Sequence, residues 1–241
     1  MIMTAAANIT PTRNSDDEHI WECLLDCGYA LVPDRRIGFG AEFREHVIQT
    51  YFTESILRHD IHDVLDRERV RDVMRYERSG DSLRLTEHET IMVKDREDHL
   101  LDREYARVEL LHDARMVEWI GVALSLVPPA QRNSRGTFSA NLLRTHTAVV
   151  PGGPHQDGKE FVLIYVLDKL GGGAETQLYR IDSPGDAAFS EILRPGDMIV
   201  FRDELFRHGT TPLIAPPGGT AHRDAMVCTV NYPDEYSVVD G

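Results

Sequence analysis

Residues 152–169 read GGPHQDGKEFVLIYVLDK. His155 and Asp157 stand two positions apart, directly ahead of an apolar run. Residues i and i+2 of an extended chain share a face, so one strand end presents an imidazole and a carboxylate to a single point. That is two thirds of a facial site for a six-coordinate ferrous ion, which keeps three positions open. A third ligand is available in RPGDMIVFRDELFRHGTTPL, where His208 follows a turn and a strand. Strands distant in sequence lie side by side in an antiparallel roll, so His208 can reach the same mouth. Further on, HRDAMVCTVNY sets Arg223 at the start of an apolar strand. A charge entering such a strand is costly unless paired, and a guanidinium grips a carboxylate with a bidentate fork. The blander alternative makes His155 and Asp157 turn residues and His208 a surface group; it leaves the order of the motifs unexplained.

The elements that must position these groups fall into two parts. Residues 137 to 232 are short β-rich runs (TFSANLLRTHTAVV, EFVLIYVLD, ETQLYRI, DMIVFRD, HGTTPLIA and RDAMVCTVNY) punctuated by PGGPHQDG, KLGGGA, DSPGD, RPGD and PPGG. Such punctuation predicts an antiparallel sandwich or barrel. Gly171 to Gly173 suit a hairpin turn, since no helix follows to make a phosphate loop. Upstream, residues 1–14 read as a loose tail and 15–136 as mostly helical. Ser15 caps a helix that Gly28 ends. GAEFREHVIQTYFTESIL and IHDVLDRERVRDVMRY carry apolar residues at helical spacing, and LHDARMVEWIGVALSLVPP is a helix stopped by Pro128 and Pro129. YALVP and SLRLTEHETIMVKD read as strands. Residues 80–103 and 129–138 are polar without clear period and are candidate lids. The expected class is α+β: a double-stranded β-helix (a cupin-like jelly roll) with an N-terminal helical annex, all within one domain over 1–241.

Bulk composition narrows the partners. With 26 basic against 40 acidic residues, the net charge of −14 repels phosphate backbones and anionic membranes and attracts divalent cations. No apolar run of about 18 residues is present to span a bilayer, and the start lacks a signal-peptide pattern. The sparse cysteines, Cys23, Cys27 and Cys228, read as reduced thiols, which suits the cytoplasm. Oligomeric state is not encoded in any feature of the sequence.

His-x-Asp, a distal His, and an Arg in the next strand together resemble the Fe(II)/2-oxoglutarate-dependent dioxygenases. The segments GGPHQDGKEFVLIYVLDK, GGGAETQLY, RPGDMIVFRDELFRHGTTPL and HRDAMVCTVNY are most similar to a small bacterial branch that hydroxylates free amino acids, including L-isoleucine 4-hydroxylases. The likeness covers roughly 139–232, with a weaker echo in VMRYERSGDSLRL. It implies that His155, Asp157 and His208 bind Fe(II), that 2-oxoglutarate and O2 are cosubstrates, and that succinate and CO2 leave as a C–H bond of a small molecule, a free L-amino acid, is hydroxylated. Halogenating relatives have a small residue in place of the carboxylate, so Asp157 favours hydroxylation. Arg223 is then the anchor for the far carboxylate of 2-oxoglutarate, with a hydroxyl from Tyr165, Thr210 or Thr229 assisting. The resemblance lets Arg144 hold either a substrate carboxylate or 2-oxoglutarate; a surface strand position is equally open. His146 and His222 read as structural or peripheral, and Glu175 and Thr176 as mouth or exposed strand positions. Two other classes stay open: a cupin-like metalloenzyme that does not use 2-oxoglutarate, and a non-catalytic jelly-roll binding protein.

Overall fold

A computed structural model describes residues 6–9, 16–59, 67–88, 93–94, 100–101, 107–146, 153–183 and 185–232. Its strands are β1 (Ala6–Ile9), β2 (Tyr29–Val32), β3 (Arg67–Ser79), β4 (Ser82–Glu87), β5 (Arg135–Thr145), β6 (Phe161–Leu170), β7 (Thr176–Arg180), β8 (Phe189–Glu191), β9 (Met198–Arg202), β10 (Phe206–Thr210) and β11 (His222–Asn231). The main helices are α1 (Asp16–Asp26), α2 (Gly40–Tyr51) and α3 (Ala114–Ser125). A large antiparallel sheet runs β1-β4-β3-β5-β11-β6-β9-β2, and a small one runs β8-β7-β10. His155 extends the small sheet by a bridge to His208 in β10. Gly172–Gly173 pairs with Leu213–Ile214, and Gly173 holds φ +66, with the Pro212 carbonyl oxygen where a side chain would start. Among the described residues no helix is long and apolar enough to cross a membrane.

Both faces of the large sheet are covered, which is why β6 is an unbroken apolar run rather than an alternating one. On the outer face, Leu163, Tyr165, Met226 and Cys228 pack with Phe43 of α2 and Trp119 of α3. Between the sheets, Val162, Ile164, Phe201 and Leu178 form a second core. Asp113 fastens the helices together. Its Oδ1 caps α3 by accepting from the amides of Arg115 and Met116, while Oδ2 accepts from His46 Nε2 at 2.6 Å and Tyr51 Oη at 2.9 Å, both on α2.

The N-terminal half departs from the helical expectation. The described part of the segment read as a helix at 61–76 lies in strand β3, joined to β4 through Gly80 at φ +59. Val70, Asp72, Met74 and Tyr76 are buried and the residues between them less so. That is period two, and cross-strand pairing to β5 over Arg67–Glu77 enforces it. Apolar residues at 70, 73, 74 and 76 also satisfy helical spacing, so the pattern alone is ambiguous. The supposed loose tail contributes β1, paired to β4; Ser15, the expected cap of α1, lies outside the described residues. Of the candidate lids, 82–87 and 135–138 are strand, and most of 89–103 lies outside the described residues.

Candidate active site

The small sheet brings the predicted ligands together. His155 and His208 exchange backbone hydrogen bonds of 3.0 and 2.8 Å, which sets their rings side by side with centroids 4.5 Å apart. His155 Nε2 lies 3.7 Å from Asp157 Oδ1, and His208 Nε2 lies 3.7 Å from Asp157 Oδ2. One donor atom from each residue lies within 4.8 Å of the others. These separations are too long for hydrogen bonds and suit three donors facing one cation. Burial pushes the His208 imidazole down to about 4, with Asp157 pulling the other way. The ring is therefore neutral at physiological pH, as a metal ligand must be.

A residue without any sequence signal holds this arrangement. Asp203, between β9 and β10, is fully buried. Its Oδ2 accepts the amide of Lys159 at 3.0 Å, with the amides of Asp157 and Gly158 also directed at it. Its Oδ1 lies 3.8 Å from His208 Nδ1, and its carbonyl accepts from Gln156 Nε2 at 2.8 Å. Gly158, at φ +68, lets the chain curl round this carboxylate. Burial raises the Asp203 carboxyl above its ordinary range. A carboxylate behind a metal-facing imidazole is the usual means of fixing ring orientation. Only the fold reveals it, because RDELFRH carries no local signature.

Arg223 points between the sheets. It is 6% exposed, and its Nη2 donates to Thr176 Oγ1 of β7 at 3.2 Å. Its Nε has no partner, and among the described residues no carboxylate pairs with the group. Burial pushes it down to about 10, so it remains a cation at neutral pH. A buried cation without a counter-charge is expensive, and this is the observation that calls for an anionic ligand. Thr176 pairs with Thr210, and Leu178 with His208. The guanidinium thus meets the small sheet two residues beyond the distal histidine, about 7 Å along the strand. Thr210 shares the face of His208 and lies beside this point. Thr229 also faces inward but is bonded to Ser139 (Oγ–Oγ1 2.6 Å) on a neighbouring strand. Thr176, which the sequence marks only as a mouth or exposed strand position, is the hydroxyl that touches the arginine.

Two predicted residues lie on the other face. Tyr165 packs against Trp119, ring centroids 5.5 Å apart, within the helical layer. Burial raises its phenol to about 12, with the Arg44 guanidinium beside it pulling down. Arg144 is the register partner of Asp224 and forks onto it, Nε–Oδ1 2.8 Å and Nη2–Oδ2 2.6 Å. It also lies 5.5 Å over the Phe52 ring. Both are corrections: a strand turns alternate side chains to opposite faces, and Arg144 and Tyr165 fall on the helix side. Arg144→Leu would strand a carboxylate whose side chain is 1% exposed. We expect a loss of about 3 kcal/mol in stability, read by thermal melting, with the half-saturating 2-oxoglutarate concentration unchanged; a large rise in that concentration would return Arg144 to the site. His146 and His222 pair with Glu68 (3.5 Å) and Asp168 (2.9 Å).

The space between the sheets is uneven. Where β6 and β9 oppose β7 and β8, it is filled by the second apolar core. Beyond β11, the inner faces of β5 and β3 carry Ser139, Asn141 and Thr145 and then Arg67, Arg69 and Arg71. The small sheet ends on that side with the His155 segment. One half is therefore apolar core, and the other, on the side of His155, Asp157 and His208, is lined mainly by polar side chains.

A family model described as 2OG-Fe dioxygenase matches residues 56–229. No curated protein matches the chain. Among solved structures, a bsmA homologue from Methylobium petroleophilum superimposes with a TM-score of 0.76 at 17% identity, covering 90% of this chain and 93% of that one. IDO from Bacillus thuringiensis gives 0.65 at 14%, covering 90% and 98%, and the Fe(II)/(alpha)ketoglutarate-dependent dioxygenase TqaL gives 0.66 at 12%, covering 90% and 87%. At such identities these structures speak to the fold alone. With the family model spanning most of the sequence and the jelly roll in place, the chain belongs to the 2OG-Fe dioxygenase family, whose chemistry uses Fe(II), 2-oxoglutarate and O2.

Proposed function

We propose that the protein hydroxylates an unactivated C–H bond of a small molecule, a free L-amino acid, with release of succinate and CO2. The observation that carries this is the convergence of His155, Asp157 and His208 two strand residues from a buried cation, Arg223, that has no counter-charge among the described residues. Bound Fe(II), together with 2-oxoglutarate and O2, supplies the oxidising chemistry. The chain's own contribution is positional. The imidazoles of His155 and His208 and the carboxylate of Asp157 would hold Fe(II) and leave positions for the cosubstrates. Arg223, steadied by Thr176 with Thr210 alongside, takes the far carboxylate of the cosubstrate. The apolar core on one flank keeps water from that side of the site. Asp203 fixes the Asp157 loop through its amides and sets a carboxylate oxygen 3.8 Å from the His208 ring. The interleaving of strands from both halves in the large sheet supports a single dioxygenase domain over 1–241.

The amino-acid substrate rests on the resemblance of the four motif segments to amino acid hydroxylases. Two experiments test the proposal in sequence. Anaerobic addition of Fe(II) and 2-oxoglutarate should give a visible charge-transfer band; a cupin-like enzyme that does not use 2-oxoglutarate gives none. The proteinogenic L-amino acids are then screened for succinate release with a mass gain of one oxygen. Absence of both products across the screen would overturn the amino-acid assignment.

A further inference from the structure

Strands β6 and β11 leave regular register once. Val227 is opposite Ile164 and Ala225 opposite Val166, but Asp224 is opposite Asp168 and Arg223 opposite Lys169, so Leu167 is an extra residue in β6. A bulge of this kind leaves one residue unpaired and reverses the parity of those that follow. Val166 packs between the sheets and Leu167 in the helical layer. Asp168 is turned the same way as Leu167, beside Asp224, because directly opposed residues share a face. Lys169 then faces between the sheets with its partner Arg223. Unbroken pairing would have set Asp168 opposite Arg223, a carboxylate against the buried guanidinium; the bulge puts an ammonium there instead. The acids adjoining these cations in sequence lie on the far face and are occupied, Asp224 by Arg144 at 2.6 Å and Asp168 by His222 at 2.9 Å.

Like charges directly opposed on neighbouring strands repel, and the Cα atoms of such partners are only about 5 Å apart. Lys169 is tethered there: its Nζ donates to the Gly171 carbonyl oxygen at 2.7 Å, which the turn at Gly171, φ +100, brings back to it. That bond uses one of three ammonium donors. Burial, and then Arg223 beside it, lower the Lys169 ammonium from its ordinary value. Among the described residues no carboxylate pairs with either cation.

We propose that Lys169 is a second cationic contact for the far carboxylate of 2-oxoglutarate, and that the bulge at Leu167 thereby makes the site select a 2-keto acid with a charged far end. This rests on the function proposed above and adds a residue that sets cosubstrate specificity. A carboxylate has two oxygens and about four lone-pair sites, so a guanidinium from one strand and an ammonium from the next can share it. A 2-keto acid with a neutral far end would leave two cations unanswered in place of one, which is selection against the wrong ligand as well as for the right one.

The test uses the intact protein with Fe(II) under anaerobic conditions and follows the charge-transfer band during titration with 2-oxoglutarate or with 2-oxopentanoate, which has the same chain length and no far carboxylate. In Lys169→Met, which keeps most of the apolar stem, the half-saturating 2-oxoglutarate concentration should rise about tenfold, the scale of one lost charge-assisted bond, while that of 2-oxopentanoate does not rise. Lys169→Arg should keep the wild-type preference. Lys169→Glu restores the counter-charge that unbroken pairing would have supplied. It should melt no lower than wild type without ligand and lose more 2-oxoglutarate affinity than Lys169→Met. An unchanged 2-oxoglutarate titration in either folded variant, or an equal loss for both keto acids, overturns the proposal and leaves the proposed function standing. A wild-type protein that gives no band with 2-oxoglutarate overturns the proposed function itself, and this inference with it.

Discussion

His155→Ala is expected to lower coupled succinate release by at least about 10³-fold, or about 4 kcal/mol of transition-state stabilisation, and to leave the protein folded. The choice of residue matters. The His155 side chain is 41% exposed, against 9% for His208, and it belongs to neither apolar core. Removing it costs little packing, so lost turnover cannot be ascribed to lost structure. Iron content after dialysis, the thermal melt and succinate release are measured on one preparation. The expected pattern is an unchanged melt without added metal, depleted iron and no coupled product. A variant that retained stoichiometric iron and turnover would remove His155 from the coordination sphere.

Arg223→Leu should separate binding from stability. Loss of a desolvated guanidinium that forks a carboxylate costs about 3 kcal/mol, so the half-saturating 2-oxoglutarate concentration is expected to rise about 100-fold. The ligand-free protein should melt no lower than wild type, because the substitution removes a 6% exposed cation with no counter-charge among the described residues and leaves an apolar side chain in its place. An arginine that served the fold would show the reverse: a lowered melt and an unaltered response to 2-oxoglutarate. Melting with and without the cosubstrate and Fe(II) distinguishes the two.

Much of the site is legible in the order of residues alone. The run of strands after residue 137 is punctuated by glycine and proline, and the spacing of His155, Asp157, His208 and Arg223 is a matter of strand parity. Sidedness is not legible in the same way. Strand β6 is buried on both faces, so nothing in FVLIYVLDKL marks Tyr165 as facing the helices while Val166 faces the second sheet. The same holds for Arg144: its partner Asp224 adjoins Arg223 in sequence, and these two neighbours part company only because a strand alternates. Strand β3 is masked by its charges. Arginines on an inner face look like the solvated side of an amphipathic helix until a neighbouring strand fixes their register. Asp203 escapes notice for another reason, since its hydrogen bonds, to Lys159 and Gln156, are tertiary.

The lopsided filling of the barrel divides labour within one fold. Cohesion is supplied where β6 and β9 meet β7 and β8, and by the aromatic layer under α2 and α3. Strands β3 and β5 join that layer through their helix-facing side chains, Val70, Met74, Phe138 and Leu142, and not through their inward ones. The inward polar side chains of these two strands can therefore be exchanged with little risk of collapse. A lineage built on this plan could shift from one small acid to another by altering a handful of inward positions, with the oxidising centre and the architecture carried along unaltered.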